Sequence, residues 1–561
     1  MLRHAWILLI ILLAPPALAD DRPPAAAIAS AHPLATEAGF EILEAGGNAF
    51  DAAIAVGAVL AVVEPASSGM GGGGFWLLHR QHDGLQTMLD ARETAPAAAS
   101  ATLYQDQDGN VVRDHAINGP LAAGIPGQAA AFVHLAEHYG RLPLAQSLAP
   151  AIQIAREGFP VSERYRTLAG FRDDVLNRYP AASRLFLKDG AVPPAGYLIR
   201  QPDLARVLER IARDGNAGFY EGETARDLVR GVRAAGGIWT LDDLASYTVK
   251  ERAPIVSTFR GARIISAPPP SSGGIVLAET LNILAQFNGG DIAPELLPHL
   301  TVEAMKRAYR DRAEHLGDPD FVSMPVTRLL SVQHARELAR GISLDKPTPS
   351  SELGAPLAQP TGTHTTHLSI LDDEGNRVAA TLSVNLPFGA GFVAEGTGIL
   401  LNNEMDDFSS KPGSPNAYGL IGSHANAIAP GKRPLSSMTP TFVEWDDKVA
   451  ILGTPGGSRI ISMVLLGVQE ALAGKPVTEW VSRPRYHHQY LPDVVEVEPA
   501  FIGSEEARLL EVRGHTLKST GRAYGDMHAV LWEKGKGEVS AASDPRGEGD
   551  AVIYLRADKQ R

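Results

Sequence analysis

The chain has 561 residues, with 51 Lys and Arg against 64 Asp and Glu, so its formal net charge is −13. Hydrophobic residues make up 44% and charged residues 20%, a globular composition that excludes a disordered chain. Its 56 Gly and 40 Pro follow no G-X-Y repeat, which excludes a collagen. The negative charge argues against a nucleic-acid partner, because that affinity comes mainly from Lys and Arg.

Residues 1–19 have the layout of a secretory signal peptide. A basic start precedes an apolar run over residues 5–14, and residues 17–19 give the small-x-small cleavage pattern. The run is shorter than the ~20 apolar residues of a membrane-spanning helix, so no membrane anchor is predicted. We expect export to the periplasm or into the medium. The absence of Cys excludes disulfides, a Cys nucleophile and thiolate metal sites.

The first two thirds of the chain are predicted to be mainly helical. Apolar periodicity predicts helices over residues 34–45, 49–63, 144–157, 203–213, 221–235 and 302–316. The first should end at the glycines 46–47 and the second before Pro65. Residues 75–78 indicate a buried strand, and Thr240 with Asp243 is a helix-start pair.

A β-hairpin is predicted further along the chain. Residues 365–371 and 377–385 both alternate between apolar and polar positions on either side of a turn. If the turn is centred on Glu374, the numbers of paired residues sum to 748. That register places Thr365 opposite Ser383, with the two Cα atoms ~5 Å apart.

The hairpin directly follows a segment without periodicity. Residues 341–364 are dense in Pro, Gly, Ser and Thr, which predicts a surface loop or linker, and composition alone favours a domain boundary. Cleavage of the His364–Thr365 bond would give Thr365 a free α-amine with a pKa of ~7.7–8. Such an amine can accept the proton of its own residue's hydroxyl. Ser383 could orient that hydroxyl, although an isolated Thr after a loop is usually an ordinary strand residue.

Several other motif signals are weak. The glycine run over residues 69–74 lacks a following Lys-Ser/Thr, so it is not a phosphate-binding loop. His364 and His367 would point to opposite faces of a strand. His487 and His488 have no third ligand at metal spacing. No metal, nucleotide or organic cofactor is predicted.

Longer motifs occur in a fixed order along the chain. After the cleavage position they are Thr365-Thr366-His367-x-Ser369, Asn385, and the segments 398–409, 432–440 and 455–459. Before it they are residues 46–53, the glycine run, Arg92-Glu93 and the Pro-Pro-Pro-Ser-Ser-Gly-Gly segment 268–274. Together these motifs, which span nearly the whole mature chain, resemble those of the γ-glutamyltranspeptidases, a family of N-terminal-nucleophile hydrolases.

The resemblance implies an α+β fold, a four-layer αββα sandwich. It also implies a precursor that cuts itself between His364 and Thr365. Residues 20–364 would form a large subunit and residues 365–561 a small catalytic subunit, paired as a heterodimer in one structural unit. This differs from the three or four domains that length alone suggests.

The resemblance also assigns roles within the site. A γ-glutamyl substrate carries an α-carboxylate and an α-ammonium, so its site needs groups of both charges. The carboxylate is assigned to Arg92, Ser436 and Ser437, because an Arg can bind it bidentately. The ammonium is assigned to Asn385, Glu404 and Asp407. Thr365 is the nucleophile, Ser383 orients it, the Gly456 and Gly457 N–H groups form the oxyanion hole, and Tyr418 belongs to a lid.

Each assignment has an ordinary alternative. Arg92 could be a salt-bridged surface residue, the acidic segment 404–407 a solvated loop, and the two glycines a turn. Spacing alone does not choose between Asp406 and Asp407, whereas the family motif points to Asp407. Position 404 can be Glu or Gln in the family. Many relatives have Thr at the position of Ser383, and Ser retains the hydroxyl.

The expected reaction transfers the γ-glutamyl group of glutathione and other γ-glutamyl compounds to water, amino acids or dipeptides through an ester on Thr365. Three alternatives stay open. A related acylase would remove glutaryl side chains, which lack the ammonium and so do not require Asp407 or Asn385. A second relative would act on poly-γ-glutamate, although the lid-like segment 411–422 favours small substrates. A non-catalytic protein would bind glutamate without turnover.

Overall fold

The computed structural model describes residues 22–354, 365–411, 416–417, 420 and 422–555. The predicted signal peptide, His364 and Tyr418 therefore lie outside the described residues. Within the described ranges, no helix is both long enough and apolar enough to cross a membrane.

The described residues form 18 strands, numbered in chain order: β1 Ala26–Ser30, β2 Gly73–Arg80, β3 Leu85–Ala91, β4 Phe159–Pro160, β5 Leu198–Ile199, β6 Lys250–Arg252, β7 Ile255–Phe259, β8 Ala262–Ser266, β9 Thr366–Leu371, β10 Arg377–Ser383, β11 Thr441–Trp445, β12 Lys448–Gly453, β13 Tyr486–His487, β14 Val495–Val497, β15 Leu517–Ser519, β16 His528–Glu533, β17 Glu538–Ser543 and β18 Asp550–Tyr554.

The same residues form 19 α-helices: α1 Pro33–Glu44, α2 Ala49–Val63, α3 Arg113–Ile117, α4 Gln128–His138, α5 Leu144–Glu157, α6 Glu163–Gly170, α7 Asp173–Arg178, α8 Pro180–Phe186, α9 Pro202–Asp214, α10 Ala217–Tyr220, α11 Gly222–Ala234, α12 Leu241–Ala245, α13 Gly273–Leu284, α14 Leu297–His315, α15 Val326–Leu329, α16 Val332–Arg340, α17 Ile460–Leu472, α18 Val477–Ser482 and α19 Glu505–Val512.

Two antiparallel sheets form the centre of the fold. The larger sheet has seven strands in the order β18-β1-β9-β10-β2-β3-β6, and the second has six in the order β17-β16-β12-β11-β8-β7. Smaller sheets join β13, β14 and β15, and β4 with β5. Neighbouring strands within each large sheet run antiparallel.

The two large sheets face each other, and helices cover their outer faces. Between the sheets, a Cβ atom added to Gly453 on β12 would lie 2.2 Å from the ring of His367 on β9. Outside the first sheet, every residue of α2 is buried, and its Gly57 packs on Trp76 of β2. Outside the second sheet, α17 packs on β12. The four-layer αββα sandwich that the resemblance implied is therefore confirmed.

Most predicted helices form close to their predicted bounds. The helices α2 and α5 have the predicted first and last residues. After α1, Gly46 adopts φ 97° and the Gly47 N–H donates to Ile42 O at 3.0 Å, the C-terminal geometry that glycine permits. The helix α14 begins at Leu297, five residues before the predicted start, because Pro298 is tolerated in a first turn.

The predicted hairpin and its register are confirmed. β9 and β10 pair Leu371 with Arg377 and Thr366 with Leu382, so the residue numbers sum to 748. One further step in this register sets Thr365 opposite Ser383.

The segment before the hairpin, residues 341–364, is anchored at one point of its described part. Its described part, residues 341–354, contains one 3₁₀ turn at Ser350–Glu352. Ser350 is buried, its N–H donates to Asp493 Oδ2 at 2.8 Å and its hydroxyl donates to Tyr490 O at 2.7 Å. The other residues of 341–354 are exposed or half-buried except Ile342, so this part is a surface loop as predicted, with Ser350 as a buried anchor whose polar groups have partners.

Candidate active site

One small cavity brings together the predicted site residues. Its volume is about 20 Å³, and its lining residues are Arg92, Thr365, Ser383, Asn385, Glu404, Asp407, Leu420, Ser436, Ser437, Met438, Gly457, Ser458 and Ile460. Of the predicted site residues that the structure describes, only Gly456 is not in this lining. Residues scattered over most of the sequence therefore meet at one place.

Two adjacent strand ends position the predicted nucleophile. Thr365 is buried and immediately precedes β9, and Ser383 is the last residue of β10. The hydroxyl of Ser383 accepts a hydrogen bond from the Asn385 N–H at 2.7 Å. The Thr366 hydroxyl donates to Glu64 Oε2 at 2.7 Å, which fixes the start of β9. The central sheet thus holds the hydroxyls of both residues at one edge of the cavity.

The glycine run supports this edge by allowing close backbone contact. A Cβ atom at Gly71 would lie 2.1 Å from Leu400 O, and one at Gly72 would lie 2.0 Å from Ser383 O. Any residue other than glycine would push these backbones apart. The run is therefore a packing feature beside the site.

Arg92 follows β3, and its backbone is held from two sides. Its N–H donates to Asp90 Oδ1 at 3.0 Å, and its carbonyl accepts the Tyr247 hydroxyl at 2.8 Å. The side chain is only 1% exposed. The alternative of a surface salt bridge is therefore excluded. The guanidinium lies inside the protein, and two hydrogen bonds hold the backbone that carries it.

The Arg92 guanidinium faces three carboxylates. Its Nη1 lies 2.7 Å from Glu404 Oε2 and 3.7 Å from Glu93 Oε2, and its Nη2 contacts Asp407 Oδ2. Burial lowers the pKa of Arg92, but the three carboxylates outweigh burial and raise it above its usual value. Burial raises the pKa of Glu404 well above its usual value, and that of Glu93 to about 7. Arg92 and its carboxylates thus pair with one another, and they can exchange these partners for the two charges of a zwitterion.

The geometry separates the two neighbouring aspartates. Both lie in the 3₁₀ turn Glu404–Asp407. Asp407 points to Arg92 and lines the cavity. Asp406 points away, where its Oδ2 accepts the Ala417 N–H at 2.8 Å and its Oδ1 lies 3.4 Å from Arg113 Nη1. The structure thus places at the cavity the aspartate that the family motif indicated.

Two asparagines anchor this turn, Asn385, which the family motif assigned to the ammonium, and Asn402, which the sequence analysis left without a role. Asn402 donates from Nδ2 to Gly71 O at 2.7 Å, while its Oδ1 accepts the Glu404 N–H at 2.9 Å. Asn385, at φ 75°, donates from Nδ2 to Asn403 O at 2.9 Å. These bonds connect the turn to the glycine run and to the end of β10. Only their place in a long motif could have signalled this role.

The two predicted serines lie beside a buried cation that the sequence analysis missed. Arg312 on α14 donates from Nε to Ser272 Oγ at 2.9 Å and from Nη2 to Ser437 Oγ at 3.3 Å. Ser272 in turn donates to Ser436 O from its N–H at 2.9 Å. Burial lowers the pKa of Arg312 to about 10. The guanidinium remains charged and adds positive potential on the side of the cavity that the serines form.

Gly456 and Gly457 adopt conformations that favour glycine, with φ values of 146° and 59°. They precede α17 through the 3₁₀ turn Gly457–Arg459, so their backbone lies at the positive end of a helix. Gly457 lines the small cavity, while Gly456 lines a neighbouring cavity of about 450 Å³. A positively polarised backbone beside Thr365 suits a developing oxyanion.

No group of three His, Asp or Glu side chains close enough to share a metal ion lies in this cavity, as far as the structure describes the chain. The cavity therefore offers two hydroxyl-bearing strand ends, a buried guanidinium, carboxylates and a helix N-terminus. Such a set can perform acyl transfer on a zwitterionic substrate.

Comparisons with known proteins agree with this arrangement. The family profile described as Gamma-glutamyltranspeptidase matches residues 35–554. A glutathione hydrolase proenzyme of Escherichia coli K12 is 42% identical, over 93% of this chain and 90% of that protein. One from Pseudomonas aeruginosa is 40% identical, over 94% of both chains.

Solved structures give the same picture. The crystal structure of a cephalosporin acylase from Bacillus halodurans superposes with a TM-score of 0.82 at 29% identity, covering 97% of this chain and 99% of that chain. A Helicobacter pylori gamma-glutamyltranspeptidase chain gives a TM-score of 0.55 at 40% identity, covering 58% of this chain and 93% of that one.

Proposed function

Because the chain belongs to the gamma-glutamyltranspeptidase family, we propose that it transfers the γ-glutamyl group of glutathione and related compounds to water, amino acids or dipeptides. The observation that carries the proposal is the cavity, where Thr365 lies beside a buried guanidinium and a set of carboxylates. A γ-glutamyl group presents an anion and a cation next to the carbonyl that must react. The cavity has a partner for each.

The chain first cleaves itself. In the precursor, Thr365 Oγ attacks the carbonyl carbon of residue 364, the C–N bond breaks, and an ester replaces the peptide bond. Water then hydrolyses the ester and leaves Thr365 with a free α-amine. The products are a large subunit, residues 20–364 after removal of residues 1–19, and a small subunit, residues 365–561, which stay together as a heterodimer. The proenzyme names of two relatives support this step.

Substrate binding exchanges one set of buried ion pairs for another. The substrate carboxylate takes the guanidinium of Arg92 and the hydroxyls of Ser436 and Ser437, and its ammonium takes Asp407 and Glu404. Asn385 lies on the same side of the cavity as these carboxylates. No charge is left buried without a partner, which would be the costly outcome. Since about 20 Å³ is room for little more than a water molecule, the cavity must enlarge to admit the substrate.

Catalysis then uses groups at the strand ends and the helix terminus. Thr365 Oγ attacks the γ-carbonyl while the α-amine of Thr365 takes its proton, and Ser383 orients the hydroxyl. The N–H groups of Gly456 and Gly457 stabilise the oxyanion, and one such donor is worth ~3 kcal/mol of barrier. The amine proton passes to the leaving group, and water or an acceptor amine then releases the γ-glutamyl ester.

An acylase is the second candidate, because the cephalosporin acylase superposes over nearly the whole chain. A glutaryl side chain has no α-ammonium, so it would leave the carboxylates around Arg92 without a cation to bind. The cluster of Glu93, Glu404 and Asp407 therefore favours a γ-glutamyl substrate. The layout of residues 1–19 supports export to the periplasm or the medium.

The first experiment measures intact mass and fragment N-termini for the wild type, Thr365→Ala and the neighbouring control Thr366→Ser, which keeps the hydroxyl that donates to Glu64. We expect two fragments in the wild type and in T366S, the lighter one starting at residue 365, and a single chain in T365A. Initial rates on γ-glutamyl and glutaryl anilides then separate the two candidate substrates. A wild-type chain that stays uncut would overturn the mechanism, and preference for the glutaryl anilide would overturn the substrate.

A further inference from the structure

A second cluster of ionisable side chains lies outside the catalytic cavity, where three helices meet. Glu279 is on α13, Asp311 on α14 and His334 on α16. One ligand atom from each lies within 4.8 Å of the other two. All three side chains are buried, with exposed fractions of 0%, 1% and 7%. The reaction proposed above uses none of them.

Glu279 is the unusual member of the cluster. Its two carboxylate oxygens are buried and accept no hydrogen bond from the described residues. His334 Nε2 lies 3.6 Å from Glu279 Oε1, outside hydrogen-bond range, but 2.6 Å from Asp311 Oδ2. A carboxylate buried without hydrogen bonds is strongly unfavourable, so its occurrence points to a missing partner in the space that all three side chains face.

We propose that Glu279, Asp311 and His334 bind one divalent transition-metal cation such as Zn²⁺. Two carboxylates and one imidazole form a ligand set that suits Zn²⁺ or Mn²⁺ better than Ca²⁺ or Mg²⁺, which prefer oxygen alone. Ligand atoms on a tetrahedral Zn²⁺ lie about 3.3 Å apart. The observed separations of 2.6 and 3.6 Å bracket that value, so small side-chain shifts suffice.

The charges around the cluster agree with a dication. Two ionised carboxylates would carry two negative charges, and among the described residues they are faced, besides His334, by Arg310, whose Nη1 lies 3.2 Å from Asp311 Oδ1. Asp311 also belongs to a second group with Glu314 and His315, of which Glu314 is exposed. The sequence analysis expected no metal because these ligands lie on three separate helices, with none of the spacings of known sites.

A cation bound at this site would stabilise the side of the protein that binds the substrate. Asp311 directly precedes Arg312 on α14, and Arg312 donates to the hydroxyls of Ser272 and Ser437. A cation that ties α13, α14 and α16 together would therefore stabilise the helix that carries Arg312. Because the cation does not touch the catalytic cavity, its removal should lower thermal stability more than it lowers turnover.

The test is a Zn²⁺ titration of tag-free, chelator-treated protein by calorimetry, with melting temperature measured in parallel. We expect about one ion per chain, a higher melting temperature with Zn²⁺, and at least ~100-fold weaker binding in Glu279→Gln and His334→Asn, since losing even an outer partner of a metal ligand costs 10–100-fold. The isosteric E279Q preserves packing, and H334N serves as the second variant if E279Q fails to fold.

The matched control is the double variant Glu314→Gln/His315→Gln, which alters the neighbouring exposed group and keeps the buried three. It should bind Zn²⁺ like the wild type. The proposal is overturned if the wild type binds no stoichiometric ion, if E279Q binds as tightly as the wild type, or if only the control variant loses binding. In the first case, a proton occupies the cluster instead, since burial raises the pKa of Glu279 to about 8.

Discussion

Asp406 and Asp407 are adjacent in sequence, but only Asp407 lines the cavity. Comparing the variants Asp406→Asn and Asp407→Asn therefore isolates the contact with the substrate ammonium. Asp407 contacts buried Arg92 and is 11% exposed. Replacing it by Asn removes one charge-assisted contact to the substrate ammonium, which is worth about 2–3 kcal/mol. That loss corresponds to a rise in KM of about 30- to 150-fold. Folding should survive, because Glu404 remains 2.7 Å from the Arg92 guanidinium.

The Asp406 variant should behave differently. Its Oδ1 lies 3.4 Å from Arg113, whose side chain is 41% exposed, and its Oδ2 accepts the Ala417 N–H at 2.8 Å, a hydrogen bond that an Asn oxygen can keep. We therefore expect KM to change by less than about 5-fold. Initial rates with a γ-glutamyl anilide give kcat and KM, and melting temperatures check both folds. A KM in D407N close to the wild-type value, or a larger rise in D406N than in D407N, would refute the assignment.

Three further predictions concern other buried charges. Arg312→Met removes two hydrogen bonds, including the one to Ser437, so KM should rise about 10-fold with self-cleavage intact by gel analysis. Glu404→Gln should keep activity within about 10-fold in the same anilide assay, because Gln keeps the size of the side chain and an oxygen acceptor while Asp407 still supplies the negative charge beside Arg92. Burial also raises the pKa of Asp526 to about 8, with Arg164 3.5 Å away. Between pH 5 and 8 the folded state therefore holds a proton that the unfolded state has lost. The free energy of unfolding should fall over this range by up to about 1.4 kcal/mol per pH unit. Denaturant titrations should show a smaller fall for Asp526→Asn.

Features with a local cause were predicted well from the sequence. The register of β9 and β10 follows from two alternating strands and a short turn, and the structure pairs them as expected. The helix α12 follows Thr240, whose hydroxyl accepts the Asp243 N–H at 3.2 Å while Asp243 Oδ2 accepts the Thr240 N–H at 2.7 Å. Each of these signals lies within a few residues of its effect.

Features that depend on how the sheets and helices pack against one another were not predicted from local sequence. The strand β1 is buried on both faces, so Ala26–Ser30 shows no alternation between apolar and polar residues. β12 has the same character over most of its length. Arg312 looked like one of many charges on a helix, and only the packing of α14 makes it a buried partner of Ser437. The cavity itself was predicted from a whole set of family motifs rather than from any local pattern.

The strand order has a consequence for a chain cut before Thr365. In the larger sheet, β1 comes from the N-terminal piece, yet it is hydrogen-bonded on one side to β18 and on the other to β9, both from the C-terminal piece. β10 likewise pairs with β2, and β11 with β8. Each large sheet therefore contains strands from both pieces. Neither could complete a sheet alone, and each would expose unpaired strand edges. Folding must therefore come before the cut, and separating the pieces afterwards would require unfolding both.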